Sequence, residues 1–485
     1  MATNLARLHS VFDLAMRTGV GMLTNGAAAS EVSATVLRIT SASGYRNVAI
    51  QVTFDEVMLS YLPDDMSTPF TRVRAAGSRA QDFARLTAFE HVTERYIDGD
   101  LALDEANRIV HDIPLGPPLY PFWLTTAGLS VMGGGLAVSF GGGPLVVLAA
   151  TLGTALLTVT GQYLSRLGVP PFYSQALGGL IGVGSAVLAS QIDPSVNSSI
   201  VAVSCMIILL AGLASIGAMQ DAVTGWYVTA SARILETVML TVGLVIGVRA
   251  GIVIAHRVGA DVSVSSSLPV SLISVVSVIV SGLVVGLGYG IGVQVPRRLL
   301  IVQGPITAMS GLISHLLTGP LGDRLWAVGI AAMAVGMVAV VLARRLRAPA
   351  LIFIMSGVLP LVPGSRIYRG LLGLGEDVSQ GTVELFGAAE IAIAIAAGAV
   401  FGQLLASRLL PATSRAAAGF TPVITAPFTT LRRRRGVASS TRRRRSTTAA
   451  LEPSTMTGEM TALSPEMVER SRDVPEPHRA ESEEP

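Results

Sequence analysis

Lysine is absent from this chain of 485 residues, and cysteine occurs once, as Cys205. A single cysteine excludes an internal disulfide and a cysteine-based metal site. Charged residues are also scarce, at 14%, whereas apolar residues make up 51% and glycine contributes 51 residues. Glycine lets membrane helices approach each other closely, and this combination is typical of polytopic α-helical membrane proteins. The composition therefore predicts a membrane protein of several spans.

Catalytic and nucleotide-binding motifs are absent as well. No Gly-x-Ser-x-Gly, His-Glu-x-x-His or Walker sequence occurs, so neither a hydrolase nor an ATP-driven pump is supported. His256 and His315 stand near the ends of apolar runs without metal-ligand neighbours. We therefore predict a protein that is not an enzyme, has no cofactor and no metal site, and does not bind nucleic acid.

Charge is unevenly distributed along the chain. Residues 1–118 hold 14 acidic and 10 basic residues, whereas 119–410 hold 9 acidic and 13 basic residues. In the first region, residue periodicity predicts helices over 5–26, 29–44, 78–100 and 101–113 and strands over 45–54 and 56–62. We predict a small, soluble and cytoplasmic α+β domain over 1–118, in which acids such as Asp55, Glu56, Asp64 and Asp65 form a solvated face.

Apolar runs of about twenty residues recur from Phe122 onward, the length needed to cross roughly 30 Å of hydrocarbon. Ten crossings put both termini on the same side of the membrane. Arginine counts in the short loops, together with "LRRRR" and "TRRRR" near the C-terminus, assign that side to the cytoplasm. The predicted spans are 122–140, 143–164, 171–191, 197–218, 230–254, 269–294, 298–317, 325–343, 349–363 and 383–407.

The segment after Pro411 has a different composition, rich in Ser, Thr, Pro, Arg and Glu. Such a composition cannot bury a core, so we predict a disordered cytoplasmic tail over 411–485. Its arginine clusters either touch anionic lipid headgroups or act only as a topology signal.

The ten spans divide into two halves of five, over 119–265 and 266–410, that share a pattern. In each half a span ends at a Gly- or Pro-rich charged break, and a closing helix follows that carries a carboxylate and a small-xxx-small pair. Because five is odd, two such repeats have opposite topology, which is an architecture of secondary transporters. The carboxylates are Glu236 and Glu390, and the pairs are Gly243/Gly247 and Gly398/Gly402.

The second break, "LPLVPGSRIYRG" at 359–370, contains two prolines and two arginines in a stretch that otherwise reads as membrane helix. A broken helix exposes backbone N–H and C=O groups, which is tolerated only beside protein or a water-filled cavity. We therefore interpret this break as one wall of a binding site. The alternative is an ordinary extracellular turn with a Pro-Gly corner.

Two stretches of the sequence make it similar to a known family. "SIGAMQDAVTGWYVTASARILET" at 215–237 and "SGVLPLVPGSRIYRGLL" at 356–372 resemble the signature regions of the threonine/serine exporters of bacterial inner membranes. The resemblance extends from about residue 10 to 410. It implies a cytoplasmic N-terminal domain, about ten spans and energy-coupled efflux of L-threonine and L-serine. Some relatives are divided into two subunits and are associated with dicarboxylate export.

The candidate substrate-binding residues lie at the two breaks. An amino-acid zwitterion needs a cation or a helix N-terminus for its carboxylate and an anion or carbonyls for its ammonium group. The alternative is that these are ordinary interfacial charges. The predicted substrate-binding residues are Gln220, Asp221, Thr224, Gly225, Ser231 and Arg233 at the first break and Pro363, Gly364, Arg366, Tyr368 and Arg369 at the second.

Glu236 and Glu390 are the predicted proton-coupling residues. Glu390 lies within "GAAEIAIAIAAG", an apolar stretch that we expect in the hydrocarbon region. A charged side chain there is energetically costly, so we interpret Glu390 as functional. Glu384 is expected nearer the helix end. We expect both to flank one cavity, with one carboxylate holding the substrate ammonium group and the other carrying the proton, in an order that stays open.

The sequence thus predicts a secondary active exporter of L-threonine and L-serine in the lipid bilayer of the cytoplasmic (inner) membrane. Protons are the expected coupling ion, and a homo-oligomer is possible. Three alternatives were weighed: a dicarboxylate (succinate-like) exporter of the same fold, a passive small-metabolite channel, and an intramembrane aspartyl protease. "GLGED" at 373–377 loosely resembles the Gly-x-Gly-Asp loop of such proteases, but the chain contains no Tyr-Asp partner sequence.

Overall fold

The structure is a computed structural model. It describes residues 2–63, 68–77, 79, 81–209, 212–257, 275–321, 323–364, 366–367, 369–370, 373 and 378–409. Several predictions concern residues outside this set: the acids Asp64 and Asp65, the site residue Tyr368, the boundary between the two halves at 265/266, and the tail over 411–485.

Among its described residues, the N-terminal region contains four α-helices, a 3-10 helix over Ile113–Leu115 and a three-stranded antiparallel sheet in the order β1-β2-β3. Gly44 has a φ of +97°, a left-handed conformation that suits glycine just after α2. The Asp82 side chain caps α3 by accepting a hydrogen bond from the Arg85 amide at 2.9 Å. The elements are α1 (Ala2–Thr24), α2 (Ala29–Ala42), β1 (Val48–Val52), β2 (Glu56–Tyr61), β3 (Phe70–Ala75), α3 (Phe83–Ile97) and α4 (Leu103–Asp112).

The sequence pattern does not predict the third strand, β3, because its charged side chains face the protein and its apolar side chain faces outward. Arg72 and Arg74 are half-buried, whereas Val73 between them is 55% exposed. Both guanidinium groups reach the carboxylate of Asp13 on α1, at 4.0 and 3.5 Å. The side chains that face the protein are therefore the charged ones, which a hydrophobic alternation rule reads as a loop.

Eight helices in the described part are long and apolar enough to span a membrane, so the chain is a multi-pass membrane protein. They are α5 (Phe122–Ser139), α6 (Pro144–Arg166), α7 (Pro171–Ile192), α10 (Tyr227–Arg257), α11 (Val275–Gly292), α12 (Arg297–Leu321), α13 (Arg324–Leu346) and α15 (Val378–Leu409).

Two of the ten predicted spans are not continuous helices. The segment predicted as a span over 197–218 is divided into α8 (Ser198–Met206) and α9 (Gly212–Val223). The segment predicted over 349–363 contains the short helix α14 (Ala350–Val358) followed by a 3-10 turn over Leu359–Leu361. These are the fourth and ninth predicted spans, which hold the same position in each half, and the total of ten spans stays a prediction.

Helices of the two halves have matching neighbours. In the first half α5 packs against α6, α6 against α7, and α7 against α10; in the second half α11 packs against α12, α12 against α13, and α13 against α15. The short helix α8 contacts α5, α6 and α7, and its counterpart α14 contacts α11, α12 and α13. The described helices of the two halves thus have the same pattern of neighbours.

The paired glycines lie at close helix crossings in both halves. A Cβ atom added at Gly247 on α10 would collide with the carbonyl oxygen of Ala176 on α7. A Cβ atom added at Gly402 on α15 would collide in the same way with the carbonyl oxygen of Met333 on α13. Both crossings bring helix backbones into contact, as small residues in membrane helices allow.

The buried core is continuous from the N-terminal region into the second half. One cluster of buried side chains includes Phe12 and Phe89 of the N-terminal region together with Val295, Val335 and Phe353. A second cluster is built mainly from α6, α7 and α8 and includes Met206. The N-terminal region therefore packs directly on the membrane helices.

Candidate functional site

The first break ends in a tight reversal between α9 and α10. Gly225 has a φ of +90°, and the Trp226 amide donates to the carbonyl oxygen of Asp221 at 2.8 Å. The Thr224 hydroxyl reaches back to the carbonyl oxygens of Gln220 and Asp221, at 2.9 and 3.1 Å. Thr224 and Gly225 thus shape the turn, and the turn brings Asp221 on α9 next to the first residues of α10.

Asp221 and Arg233 form a buried ion pair across this reversal. The distance from Arg233 Nη1 to Asp221 Oδ2 is 2.8 Å, and the two residues are 0% and 7% exposed. The N-terminal region supplies further partners, because the Ala29 amide donates to Asp221 Oδ1 at 3.1 Å and Arg233 Nη2 donates to the Ala27 carbonyl oxygen at 3.2 Å. Buried charges need such additional hydrogen bonds to offset their desolvation.

A second charged contact lies beside this pair. Arg79 of the N-terminal region stands 3.6 Å from the carboxylate of Glu236, and its guanidinium carbon lies 3.8 Å from the centroid of the Phe54 ring. The Thr229 hydroxyl also donates to the Val52 carbonyl oxygen, at 2.9 Å. We call this set of contacts the clasp: Asp221, Arg233 and Glu236 on the membrane side, and Ala27, Ala29 and Arg79 on the N-terminal side.

The clasp has an unusual electrostatic environment at its N-terminal side. Burial raises the pKa of Glu31 to about 7, and the negative charge of Asp221 adds to this, against the opposing effect of Arg233. Burial and the neighbouring Arg233 lower the pKa of Arg79 to about 10, although Glu236 and Asp221 oppose this change. Glu31 therefore exchanges its proton near neutral pH.

The remaining residues predicted at the first break have different surroundings. Gln220 is buried, at 6% exposure. Ser231 is exposed, and its hydroxyl donates to the carbonyl oxygen of Val228 at 2.9 Å. The structure therefore brings Asp221 and Arg233 together and leaves Ser231 on the outer face of α10.

The second break is held by a polar cluster that the sequence analysis missed. Pro360 has no N–H group, so the carbonyl oxygen of Ser356 loses its usual partner four residues later. The Leu359 amide and, at 2.9 Å, the Thr307 hydroxyl on α12 donate to that oxygen instead, and the Ser356 hydroxyl donates to Oε1 of Gln303. Gln303, Thr307 and Ser356 are all 0% exposed. The signal was a glutamine and a threonine four residues apart on one face of an apolar helix.

Within the second break, the chain turns back toward the last helix, α15. The Gly364 amide donates to the Val362 carbonyl oxygen at 2.8 Å, and the Ile367 amide donates to the Pro363 carbonyl oxygen at 3.0 Å. Pro363 and Gly364 thus belong to the backbone turn itself.

Arg366 and Arg369 share one carboxylate, that of Glu384 on α15. The Nε atoms of the two arginines lie 3.9 and 3.4 Å from the Glu384 oxygens. Sequence reasoning placed Glu384 only at the helix end and did not identify it as a partner. In both halves, then, the closing helix is joined by an ion pair to residues of the break that precedes it.

Each break lies against the opposite half. Helix α9 packs against α15, and Ile367 packs against the buried cluster that contains Met206. The described residues give no hydrogen bond or ion pair between 216–225 and 359–370. The direct approach of the two breaks within side-chain reach therefore stays a prediction.

Glu236 and Glu390 have different surroundings. Glu236 is paired with Arg79 at the end of α10 nearest the N-terminal region. Glu390 is exposed on a face of α15 that also presents Phe386, Ile393 and Phe401. The expectation that the two carboxylates flank one cavity therefore stays a prediction.

Comparison with known proteins gives two consecutive matches to family models. Residues 13–255 match the family described as "Putative threonine/serine exporter", and residues 262–405 match the one described as "Threonine/Serine exporter, ThrE". No solved structure matches the chain significantly.

Two curated proteins are similar over most of their length. The "Probable threonine/serine exporter" of Mycobacterium tuberculosis is 29% identical over 412 residues, which cover 83% of this chain and 78% of that protein. The "Threonine/serine exporter" of Corynebacterium glutamicum is 29% identical over 413 residues, which cover 84% of each chain.

Proposed function

Because this chain belongs to the threonine/serine exporter family, we propose that it exports L-threonine and L-serine across the cytoplasmic membrane by secondary active transport driven by the proton motive force. The observation that carries the proposal is the interrupted helix at the same position of both halves, in a chain that is similar over 83–84% of its length to proteins named as exporters. Interrupted helices at corresponding positions are the best pointer to a transporter's substrate site.

The architecture we propose is a pair of inverted five-helix repeats, over 119–265 and 266–410. The matching helix neighbours and the equivalent glycine crossings support it. The two family matches also meet between residues 255 and 262, close to the proposed boundary. If the interrupted segments each count as one crossing, each repeat crosses five times and the second has the opposite orientation.

The N-terminal region contacts helix ends that such a topology places on one side. It touches the start of α10 through Thr229, and the Phe83 amide donates to the Val293 carbonyl oxygen after α11 at 3.0 Å. We propose that this side is cytoplasmic, together with both termini, because the arginine bias favours it.

The zwitterion site we propose uses the predicted residues of both breaks, with the Asp221–Arg233 pair at its centre. The substrate ammonium group would take the place of Arg233 beside Asp221, and its carboxylate would take the place of Asp221 beside Arg233. At the second break, Arg366 and Arg369 would bind the substrate carboxylate and Glu384 its ammonium group in the same way. Ser231 is the member of the predicted set that this geometry disfavours, because its side chain is exposed.

The clasp then acts as a gate on the cytoplasmic side. Its contacts join the N-terminal region to the segments on both sides of the α9–α10 reversal. Separation of Asp221 from Arg233 by a substrate also disturbs their bonds to Ala27 and Ala29. Binding and opening of the gate are thereby coupled. Glu390 remains our proposed proton carrier, because a carboxylate on an apolar membrane-facing surface is costly and is functional by default.

An efflux assay tests the proposed function. Cells with and without the gene are loaded with a threonine dipeptide, and external threonine, serine and succinate are followed over time. We expect faster, uphill appearance of threonine when the gene is present, and loss of uphill efflux after addition of an uncoupler. Efflux that an uncoupler leaves unchanged would indicate a passive channel, and no difference for any of the three solutes would refute the proposal.

A further inference from the structure

A cavity of about 110 Å³ lies between α6 and α7 beside the first break. Thr160 and Gly161 of α6, Pro171, Ser174 and Gln175 of α7, and Leu209 line it. Leu209 precedes α9 and packs so closely on α7 that a Cβ atom at Gly178 would collide with it. The cavity thus ends at the interruption between α8 and α9.

The cavity is at the same end of the helices as the N-terminal region. Arg166, the last residue of α6, lies with its guanidinium carbon 5.9 Å from the ring centroid of Phe122, the first residue of α5. Helix α5 begins where the N-terminal region ends, so the α6–α7 connection is on that side. An exporter loads its substrate from the cytoplasm, which is the side that we assign to the N-terminal region.

The polar groups of the cavity suit a small uncharged polar side chain and a carboxylate. Oε1 of Gln175 is buried and has no hydrogen-bond partner among the described residues. Such an acceptor requires a donor, because an unsatisfied buried oxygen is costly. The Thr160 hydroxyl donates to the Leu156 carbonyl oxygen at 2.7 Å and retains its capacity to accept. Pro171 and Ser174 belong to the first turn of α7, where the helix dipole favours a carboxylate.

We propose that this cavity is the site where the carrier first binds a small hydroxylated α-amino acid from the side of the N-terminal region. The substrate carboxylate lies at the start of α7, and its hydroxyl group donates to Oε1 of Gln175 once rotation of that side chain turns the buried oxygen toward the cavity. Leu209 separates this position from the centre of the protein, so movement of α9 at the break admits the substrate to the Asp221–Arg233 pair. A cavity of about 150 Å³ holds benzene, so this open cavity is of the right order for part of a serine or threonine molecule.

The inference rests on the export function proposed above, and a thiol-protection experiment tests binding directly. Gly161 has no atom within 4 Å of an added Cβ, and the native Cys205 is buried. The full-length Gly161→Cys variant in inside-out vesicles is treated with a hydrophilic maleimide, with the unmodified chain as background. We expect threonine and serine to slow labelling about tenfold when nine-tenths of the sites are occupied, because only free sites react. Aspartate should give no protection.

Transport kinetics supply the second readout. Gly161→Leu fills the cavity, whereas Gly184→Leu adds the same side chain to α7 at a position that also has nothing within 4 Å of an added Cβ and does not line the cavity. We expect Gly161→Leu to raise the KM for threonine at least about tenfold and Gly184→Leu to leave it unchanged. Gln175→Leu should lower the preference for serine over alanine, measured as the ratio of kcat/KM values, by about tenfold.

The outcomes separate this inference from the function on which it rests. The cavity is not the loading site if unmodified vesicles transport threonine but Gly161→Leu and Gly184→Leu have equal KM values and threonine does not protect Gly161→Cys from labelling. If unmodified vesicles do not transport threonine and Gly161→Cys vesicles show no protection, the export function itself is wrong and the cavity inference falls with it.

Discussion

The buried ion pair of the clasp predicts a measurable coupling energy between Asp221 and Arg233. Arg233→Met removes the guanidinium group and leaves the Asp221 carboxylate, which is 0% exposed, with the Ala29 amide as its remaining partner. Loss of one partner from a buried pair costs about 3–5 kcal/mol in unfolding free energy. Since one hydrogen bond to Asp221 survives, we expect about 3 kcal/mol.

The reverse substitution is expected to cost a similar amount. Asp221→Asn keeps an oxygen for the Ala29 amide but leaves the Arg233 charge, at 7% exposure, without its anion. The double variant contains no unpaired buried charge. Its loss should therefore be about 3 kcal/mol rather than the sum of about 6, a coupling at the upper end of the range for residues in contact.

Urea unfolding of the purified full-length chain in detergent measures these values, with tryptophan fluorescence as the signal because Trp226 lies between the two residues in the chain. Ser231→Ala, a change at an exposed position of the same helix, is the control and should cost under about 0.5 kcal/mol. The ion pair does not hold the clasp if the double variant loses as much unfolding free energy as the two single variants together, within about 0.5 kcal/mol.

Three further predictions follow from other contacts. The pKa of Glu31, raised to about 7, means that its proton stabilises the folded chain at low pH and that this stabilisation is lost as pH rises through 7. Burial also raises the pKa of Glu90 to about 8; Glu31→Gln should therefore reduce, without abolishing, the fall in melting temperature between pH 5 and 8, and an unchanged pH dependence would assign it to Glu90 or another group. Thr307→Val removes one of the two donors to the buried Ser356 carbonyl oxygen, the other being the Leu359 amide, and should cost about 1 kcal/mol; Pro360→Ala should recover part of that loss by restoring a backbone N–H, and equal loss in both backgrounds would contradict this. Gly247→Ala should lower the yield of folded protein because its Cβ atom meets a backbone oxygen of α7. Gly319→Ala should leave the yield unchanged because no atom lies within 4 Å of an added Cβ. Gel-filtration profiles compare the two variants, and matching profiles would contradict the close contact of α7 and α10 at Gly247.

Sequence alone determined the features that depend on local pattern and composition. Apolar runs of spanning length identified the long helices, because each such helix satisfies its own backbone within the segment. Proline and glycine identified the break near Pro360, since a missing N–H interrupts a helix wherever it occurs. The small-residue pairs likewise identified the helix crossings at Gly247 and Gly402, which the structure confirms.

Tertiary structure decided everything that joins distant parts of the chain. In the clasp, the Ala29 amide donates to Asp221, which is 192 positions further along the chain. Arg233 donates to the Ala27 carbonyl oxygen, 206 positions before it. No local sequence rule links either pair. Helical spacing placed Glu236 and Glu390 in equivalent helices, but only the fold determined that one faces Arg79 and the other an exposed apolar surface. The reason is physical: a periodic pattern shows which face of a segment is apolar, whereas the identity of the group that meets a given charge depends on how the segments pack together.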